Sequence, residues 1–118
     1  MSKILIVDDD QDILTVASLL LKMNGFEVDT TCNGNKTIEC IKNNEPDLVL
    51  LDVNLGNEDG RMICKKLKSN STTNHIPIVL FSANHDIDKS YSDCGADDFI
   101  AKPFDSMAFI EALKKHLA

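Results

Sequence analysis

Three short runs of the chain, residues 4–7, 48–51 and 78–81, consist entirely of large apolar side chains. An uninterrupted apolar run of this length is typical of a strand covered on both faces, as in a parallel sheet. A shorter run at 99–101 is similar, and residues 26–32 alternate apolar and polar side chains, as a half-exposed edge strand does. The sequence therefore predicts five strands.

Segments with helical period separate these strands. The first helix is predicted by one apolar face, made of Ile13, Leu14, Val16, Ala17, Leu20 and Leu21. Gly25 is expected to end that helix in a left-handed conformation. Further helices are predicted around residues 35–42, 62–67 and 107–117, with a short one near 87–94.

Alternating strands and helices predict an α/β fold with right-handed crossovers. We expect a doubly wound five-stranded parallel sheet between two helical layers, a flavodoxin-like (βα)5 three-layer sandwich. A chain of 118 residues has room for one core, so residues 1–118 are interpreted as a single domain.

Composition excludes several classes of function. A net charge of −7 with a single arginine argues against direct contact with nucleic acid, because phosphate backbones require clustered cations. There is neither an apolar run long enough to span a membrane nor a signal-peptide pattern, which indicates a cytoplasmic protein. The four cysteines show no C-x-x-C pair and no histidine at zinc spacing, so we expect buried thiols.

Polar side chains follow four of the predicted strands directly, and in a parallel sheet those positions meet at one edge. They are Asp8, Asp9 and Asp10, then Asp52, Ser82 and Lys102. Carboxylates this close together repel one another unless a cation neutralises them. An oxygen-rich set without histidine suits Mg²⁺, or Mn²⁺, which takes the same ligands. Taken singly, each residue has an ordinary interpretation, such as Asp10 or Asp12 capping the first helix.

The same residues suit phosphoryl transfer. Asp52, at the centre of the edge, is interpreted as a nucleophile that forms an aspartyl phosphate. Lys102 would offset charge on the transferring group, and the hydroxyl of Ser82 would donate a hydrogen bond to one of its oxygens.

Five stretches then match one protein family. They are KILIVDDD, DLVLLDVNL with Asp52, the pair Asp59 and Gly60, IPIVLFSA with Ser82, and GADDFIAKPF with Lys102. With these motifs the chain resembles, over its whole length, the receiver domain of two-component response regulators.

The resemblance implies a role for each site residue. Asp52 would accept a phosphoryl group from a histidine kinase or a histidine phosphotransfer protein. Asp9 would bind Mg²⁺ directly, Asp8 would act mostly through water, and the backbone carbonyl of Asn54 would complete the protein ligands. Ser82 and Lys102 would bind the phosphoryl oxygens, with Ala83 leaving space beside them and Lys102-Pro103 as a cis peptide.

The resemblance also implies a switch without an external substrate. Phosphorylation would pull Ser82 inward. It would also repack the face made by the fourth helix, which is the short one near 87–94, the fifth strand with Phe99, and the last helix. That face would then bind a downstream protein or a second copy of the chain. Activity would be limited to self-phosphorylation and self-dephosphorylation. Three features depart from the family pattern: Gly56 replaces a proline, Phe99 replaces a tyrosine, and the fourth helix is shorter.

Other functions can use the same groups. A haloacid-dehalogenase-type phosphatase has an Asp-x-Asp after its first strand, which Asp8 and Asp10 mimic, and its nucleophile would be Asp8 instead of Asp52. A flavodoxin-like cofactor binder is disfavoured because these acids repel phosphate. A phosphorylation-independent scaffold is the third alternative: the complete set of acids, serine and lysine argues against it, whereas Gly56 and the short fourth helix leave it open.

Overall fold

The computed structural model describes residues 2–31, 36–55, 58–82, 94–101 and 105–117. Some sequence predictions fall on residues outside these ranges: those for Cys32, Gly56, Ala83, Lys102, Pro103 and all but the last residue of the short helix predicted near 87–94.

The described part of the chain contains seven strands in two sheets. They are β1 (Lys3–Val7), β2 (Glu27–Thr31), β3 (Leu48–Asp52), β4 (Asn54–Leu55), β5 (Glu58–Asp59), β6 (Ile78–Ser82) and β7 (Asp98–Ala101). Five of them form one parallel sheet in the order β2-β1-β3-β6-β7. The predicted doubly wound five-stranded sheet is therefore confirmed. Its winding direction reverses between β1 and β3, the place where such sheets bind ligands.

Burial of the strands explains their sequence patterns. All residues of β3 and β6 are buried, which is why their side chains are apolar without interruption up to the final residues, Asp52 and Ser82. The edge strand β2 is only partly buried, and four of its five residues, EVDTT, are charged or polar.

The helices within the described residues cover both faces of this sheet. They are α1 (Gln11–Met23), α2 (Thr37–Asn44), α3 (Gly60–Ser69) and α4 (Ser106–Lys115). Alternate residues of the central strands face two separate cores. Leu5 and Leu51 pack with α2 and α3 on one side, while Ile6 and Leu50 pack with α1 and α4 on the other. None of the described helices is long and apolar enough to cross a bilayer.

Helix α1 begins and ends as the sequence predicts, but its apolar face is narrower. Asp10 caps its N-terminus, and Gly25 has a φ of +87°. The amide of Gly25 donates to the carbonyl of Lys22, and the next amide donates to that of Leu21, which together close a Schellman motif. Val16 was predicted to belong to the buried face, and this is wrong because half of its surface is exposed.

A small antiparallel hairpin, absent from the prediction, follows β3. Strand β4 pairs with β5, with Asn54 opposite Asp59 and Leu55 opposite Glu58. The hairpin folds the chain back between the end of β3 and the start of α3. It therefore holds the segment that directly follows Asp52.

Candidate functional site

The strand register brings the predicted acids to one edge of the sheet. Val7 at the end of β1 lies opposite Leu51 of β3, so Asp8 and Asp52 leave the sheet side by side. Asp52 in turn lies opposite Phe81 of β6. The three chain segments therefore converge at the point where the winding of the sheet reverses.

Asp8, Asp9 and Asp52 form one cluster. One carboxylate oxygen from each of them lies within 4.8 Å of the others. Asp8 is fully buried and Asp52 is 3% exposed, whereas Asp9 faces solvent. At this separation two carboxylates repel by about 3.5 kcal/mol at an effective dielectric of about 20. Three converging carboxylates, with no sulfur or imidazole in the set, fit a hard divalent cation such as Mg²⁺.

The three consecutive acids after β1 have different partners. The backbone amide of Asp10 donates to Oδ1 of Asp8 at 2.9 Å, which fixes the buried carboxylate. The side chain of Asp10 accepts from the amides of Asp12 at 2.9 Å and Ile13 at 3.4 Å, so it caps α1. Asp10 is thus structural, as predicted, and Asp8 and Asp9 are left to line the cluster.

The backbone around Asp52 is held from two directions. The amide of Val53 donates to the carbonyl of Phe81 at 3.2 Å, and the amide of Asn54 donates to Oδ1 of Asp52 at 3.3 Å. The amide of Gly60 donates to the carbonyl of Val53 at 2.7 Å. A Cβ atom on Gly60 would lie 2.9 Å from the carbonyl carbon of Asp52 and closer still to its oxygen. Helix α3 therefore starts in direct contact with the backbone of Asp52, and only glycine fits there.

An ion pair that sequence reasoning missed fixes the start of α3. Asp59 caps this helix by accepting from the amide of Arg61 at 2.9 Å. The guanidinium of Arg61 also donates to both carboxylate oxygens, at 2.7 Å for the shortest contact. These side-chain hydrogen bonds hold the pKa of Asp59 below its usual value, although burial opposes them. The sequence signal for this ion pair is an aspartate directly before a helix, followed two residues later by the only arginine in the sequence.

The predicted phosphoryl-binding residues are described in part. Ser82 is the last residue of β6, is buried, and lies opposite Ala101 at the same edge as Asp52. Phe99 is half-buried on β7 and packs against the core shared with α2 and α3. Lys102 lies outside the described residues.

Two further acids belong to the opposite edge of the sheet. Asp97 accepts from the amide of Ile78 at 2.9 Å and pairs with Nζ of Lys68 at 2.8 Å. Burial raises the pKa of Asp97, but the hydrogen bonds from Lys68 and Ile78 and the nearby positive charge outweigh it, so the pKa is lowered. Asp98 contacts the imidazole of His116 at 2.9 Å. These acids join β7 to its neighbours and are structural.

A cleft of about 600 Å³ also lies at that opposite edge, lined by residues that include Ile41, Asp47 and His75. It is open and remote from the converging carboxylates. The converging carboxylates therefore place the candidate site at the other edge of the sheet.

Comparisons with known proteins agree with this geometry. The response regulator receiver domain family matches residues 4–114. A putative response regulator from Chloroflexus aurantiacus is 30% identical, with a TM-score of 0.93 over 98% of this chain and 97% of that one. The receiver domain of NtrX from Brucella abortus is also 30% identical, with a TM-score of 0.89 over 97% of both chains. The Vibrio cholerae chemotaxis protein CheY4 is 25% identical, with a TM-score of 0.90 over 99% of both chains.

Three observations lead to one conclusion: the family match covers nearly the whole chain, the fold is that of a receiver domain, and an acidic cluster lies at the end of the central strands. The chain belongs to the response regulator receiver domain family, whose members are signalling switches of two-component systems.

Proposed function

We propose that this receiver domain accepts a phosphoryl group on Asp52 in a Mg²⁺-dependent reaction. The observation that supports it most is the convergence of Asp8 and Asp9 on the nearly buried carboxylate of Asp52. A carboxylate with two acidic neighbours is a poor nucleophile towards an anionic phosphoryl group until a cation offsets the charge. We expect Mg²⁺ or Mn²⁺ to be held by Asp8, Asp9, Asp52 and the backbone carbonyl of Asn54. When bound there, the cation would offset the negative charge of the acids and of the phosphoryl group.

The residues of this chain would then act as follows. An oxygen of the Asp52 carboxylate attacks phosphorus as the bond from phosphorus to the donor nitrogen breaks, so the donor imidazole leaves with its electron pair. The hydroxyl of Ser82 donates to one phosphoryl oxygen, and the ammonium of Lys102 pairs with another. Attack by water on the aspartyl phosphate restores the carboxylate and releases inorganic phosphate. The domain is thus a switch with self-dephosphorylation, and no external substrate is turned over.

A histidine kinase or a histidine phosphotransfer protein is the proposed donor. Helix α1 starts at the acidic cluster, and Val16, Leu19 and Met23 recur on one of its faces, with Leu19 60% and Met23 73% exposed. An apolar stripe that is exposed on an isolated domain often marks a surface that a partner protein binds. The donor has to bring its phosphohistidine to Asp52, so we expect its helical surface to contact this stripe.

The proposed output is a change at the face that contains β7. Ser82 and Phe99 occupy neighbouring strands, with Phe99 opposite Leu80 and Ser82 opposite Ala101. Movement of Ser82 towards a phosphoryl group would change the packing available to the half-buried ring of Phe99. A downstream protein in the cytoplasm, or a second copy of the domain, would read that change. The phosphatase alternative is disfavoured because Asp10, its second acid, is used as the cap of α1.

Intact-mass measurement tests the proposal. Incubation with Mg²⁺ and a small phosphoryl donor such as acetyl phosphate should add one phosphoryl group that hydroxylamine removes. Chelation of the metal and the variant Asp52→Asn should each prevent the addition. An unmodified wild-type protein, under conditions that label a control receiver domain, would contradict the proposal and favour the phosphorylation-independent scaffold.

A further inference from the structure

Two cysteines that are distant in sequence lie together in the core. Cys64 is buried in α3, and Cys94 lies in the turn before β7, 30 residues later and 8% exposed. The thiol of Cys64 donates to the carbonyl oxygen of Cys94 at 3.5 Å, and the Cys94 side chain is close enough to act on the Cys64 thiol. Neither cysteine takes part in the proposed phosphoryl transfer.

Two cations flank this pair. Arg61 and Lys68 precede and follow Cys64 on α3 by three and four residues, so all three lie on one side of the helix. Arg61 interacts electrostatically with Cys94, and Lys68 interacts with Cys64. The charge of Lys68 favours the thiolate of Cys64, which is the reactive form of cysteine. Asp97, which pairs with Lys68, weakens this effect at Cys64.

The two thiols differ in access. Burial raises the pKa of the Cys64 thiol, with the Cys94 side chain acting in the same direction and Lys68 opposing it. Cys64 therefore stays protonated and inaccessible while the chain is reduced. Cys94 is 8% exposed and Cys64 is not exposed at all, so we expect a small oxidant to reach Cys94 first.

We propose that Cys64 and Cys94 form an oxidative modification site that closes to an intramolecular disulfide with a small hydroperoxide as the oxidant. With hydrogen peroxide, the Cys94 thiolate attacks one oxygen, the oxygen–oxygen bond breaks, and water leaves after protonation. The resulting sulfenic acid is attacked by the sulfur of Cys64 as its proton is lost, the sulfur–oxygen bond breaks, and a second water leaves. Together the two thiols lose two electrons, which reduce one hydrogen peroxide to two waters.

The disulfide would connect two parts of the switch. It joins α3, which starts against Asp52, to the turn that leads into β7 and Phe99. The closed loop spans residues 64–94 and includes Ser82, and such a cross-link restricts the conformations of everything within it. Oxidation is therefore expected to alter the phosphorylation of Asp52. This consequence depends on the proposed function, whereas disulfide formation does not.

Non-reducing mass spectrometry of the wild-type protein tests the disulfide directly. After exposure to hydrogen peroxide, the intact monomer should lose the mass of two hydrogen atoms and regain it with a reductant. Trypsin should release the peptide 62–65 linked to the peptide 90–114. A link from either peptide to 23–36 or 37–42, a link between two chains, or oxygen added to Cys94 without a link would overturn the proposal.

Variants provide the matched controls. Cys64→Ser and Cys94→Ser should each abolish the mass loss, whereas Cys40→Ser, at a half-buried thiol outside the pair, should retain it. Circular dichroism identifies any variant that fails to fold. In that case the peptide map of the oxidised wild-type protein decides whether Cys64 and Cys94 are linked. Oxidised and reduced wild type should differ in their rate of labelling by acetyl phosphate. Equal rates with a confirmed disulfide would overturn the regulatory consequence alone, and a protein that never accepts phosphate would contradict the proposed function instead.

Discussion

Replacing Gly60 by alanine tests how closely α3 is fitted to Asp52, the proposed phosphoacceptor. Helix propensity alone favours alanine over glycine by up to about 1 kcal/mol, so it would stabilise the first residue of α3. The contact predicts the opposite sign. The three atoms nearest to an added Cβ all belong to the backbone of Asp52 and Val53, and no side-chain rotation can relieve them. Overpacking of this kind costs about 1–3 kcal/mol, and we expect the upper end.

Thermal unfolding converts this cost into a measurable shift. An unfolding entropy of about 2.1 cal/mol/K per residue over 118 residues gives about 250 cal/mol/K, so each kcal/mol lowers Tm by about 4 °C. Gly60→Ala should lower Tm by about 8–12 °C. It should also slow labelling by acetyl phosphate at least about tenfold, because the carboxylate of Asp52 would shift relative to those of Asp8 and Asp9.

Gly25→Ala is the matched control. An added Cβ there meets nothing within 4 Å, but the φ of +87° strains any side chain by about 1–2 kcal/mol. This variant should lose stability and keep the wild-type labelling rate. The reasoning is refuted if Gly60→Ala raises Tm or leaves it unchanged, or if both variants slow labelling equally.

Three further perturbations test packing, electrostatics and the metal. Leu21→Ala, at a buried position of α1, should cost about 2–5 kcal/mol in urea unfolding, whereas Leu19→Ala, exposed on the same helix, should cost under about 0.5 kcal/mol. Equal losses would contradict the described orientation of α1. The pKa of Asp59 is lowered from its usual value of 3.8, so its pairing with Arg61 stabilises the fold at pH values above 3.8. Arg61→Gln should therefore lower the free energy of unfolding by under about 1 kcal/mol at neutral pH, and this loss should fade as the pH falls through the lowered pKa. A loss that grows in acid would be the wrong sign. Asp9→Asn should raise Tm without metal by removing repulsion and should abolish the rise in Tm that Mg²⁺ gives the wild type; an unchanged response to Mg²⁺ would exclude Asp9 as a ligand.

The elements that the sequence predicts well are those with a strong local pattern. The central strands are identified by their continuous apolar runs because both of their faces are buried. Gly25 and Asp10 are recognised because their backbone roles select particular residue types. The convergence of Asp8 and Asp52 follows from the polarity of parallel strands, so an important part of the site is also predictable.

The features that sequence reasoning missed depend on tertiary contacts. The hairpin of β4 and β5 has two residues per strand, too few for any period, and is fixed by pairing across the chain. Val16 has the spacing of a core residue, but the sheet and α4 cover only the face centred on Ala17 and Leu21, so its side chain remains half exposed. The approach of Cys64 to Cys94 spans 30 residues and leaves no local signal.

Locating the modified residue tests the central claim most directly. After labelling with Mg²⁺ and acetyl phosphate, the acyl phosphate can be reduced with borohydride to a stable product, and tandem mass spectrometry of the digested protein then identifies the altered aspartate. The account predicts modification of Asp52 and of no other acid. Modification of Asp8 would contradict it and favour the phosphatase alternative, in which Asp8 is the nucleophile.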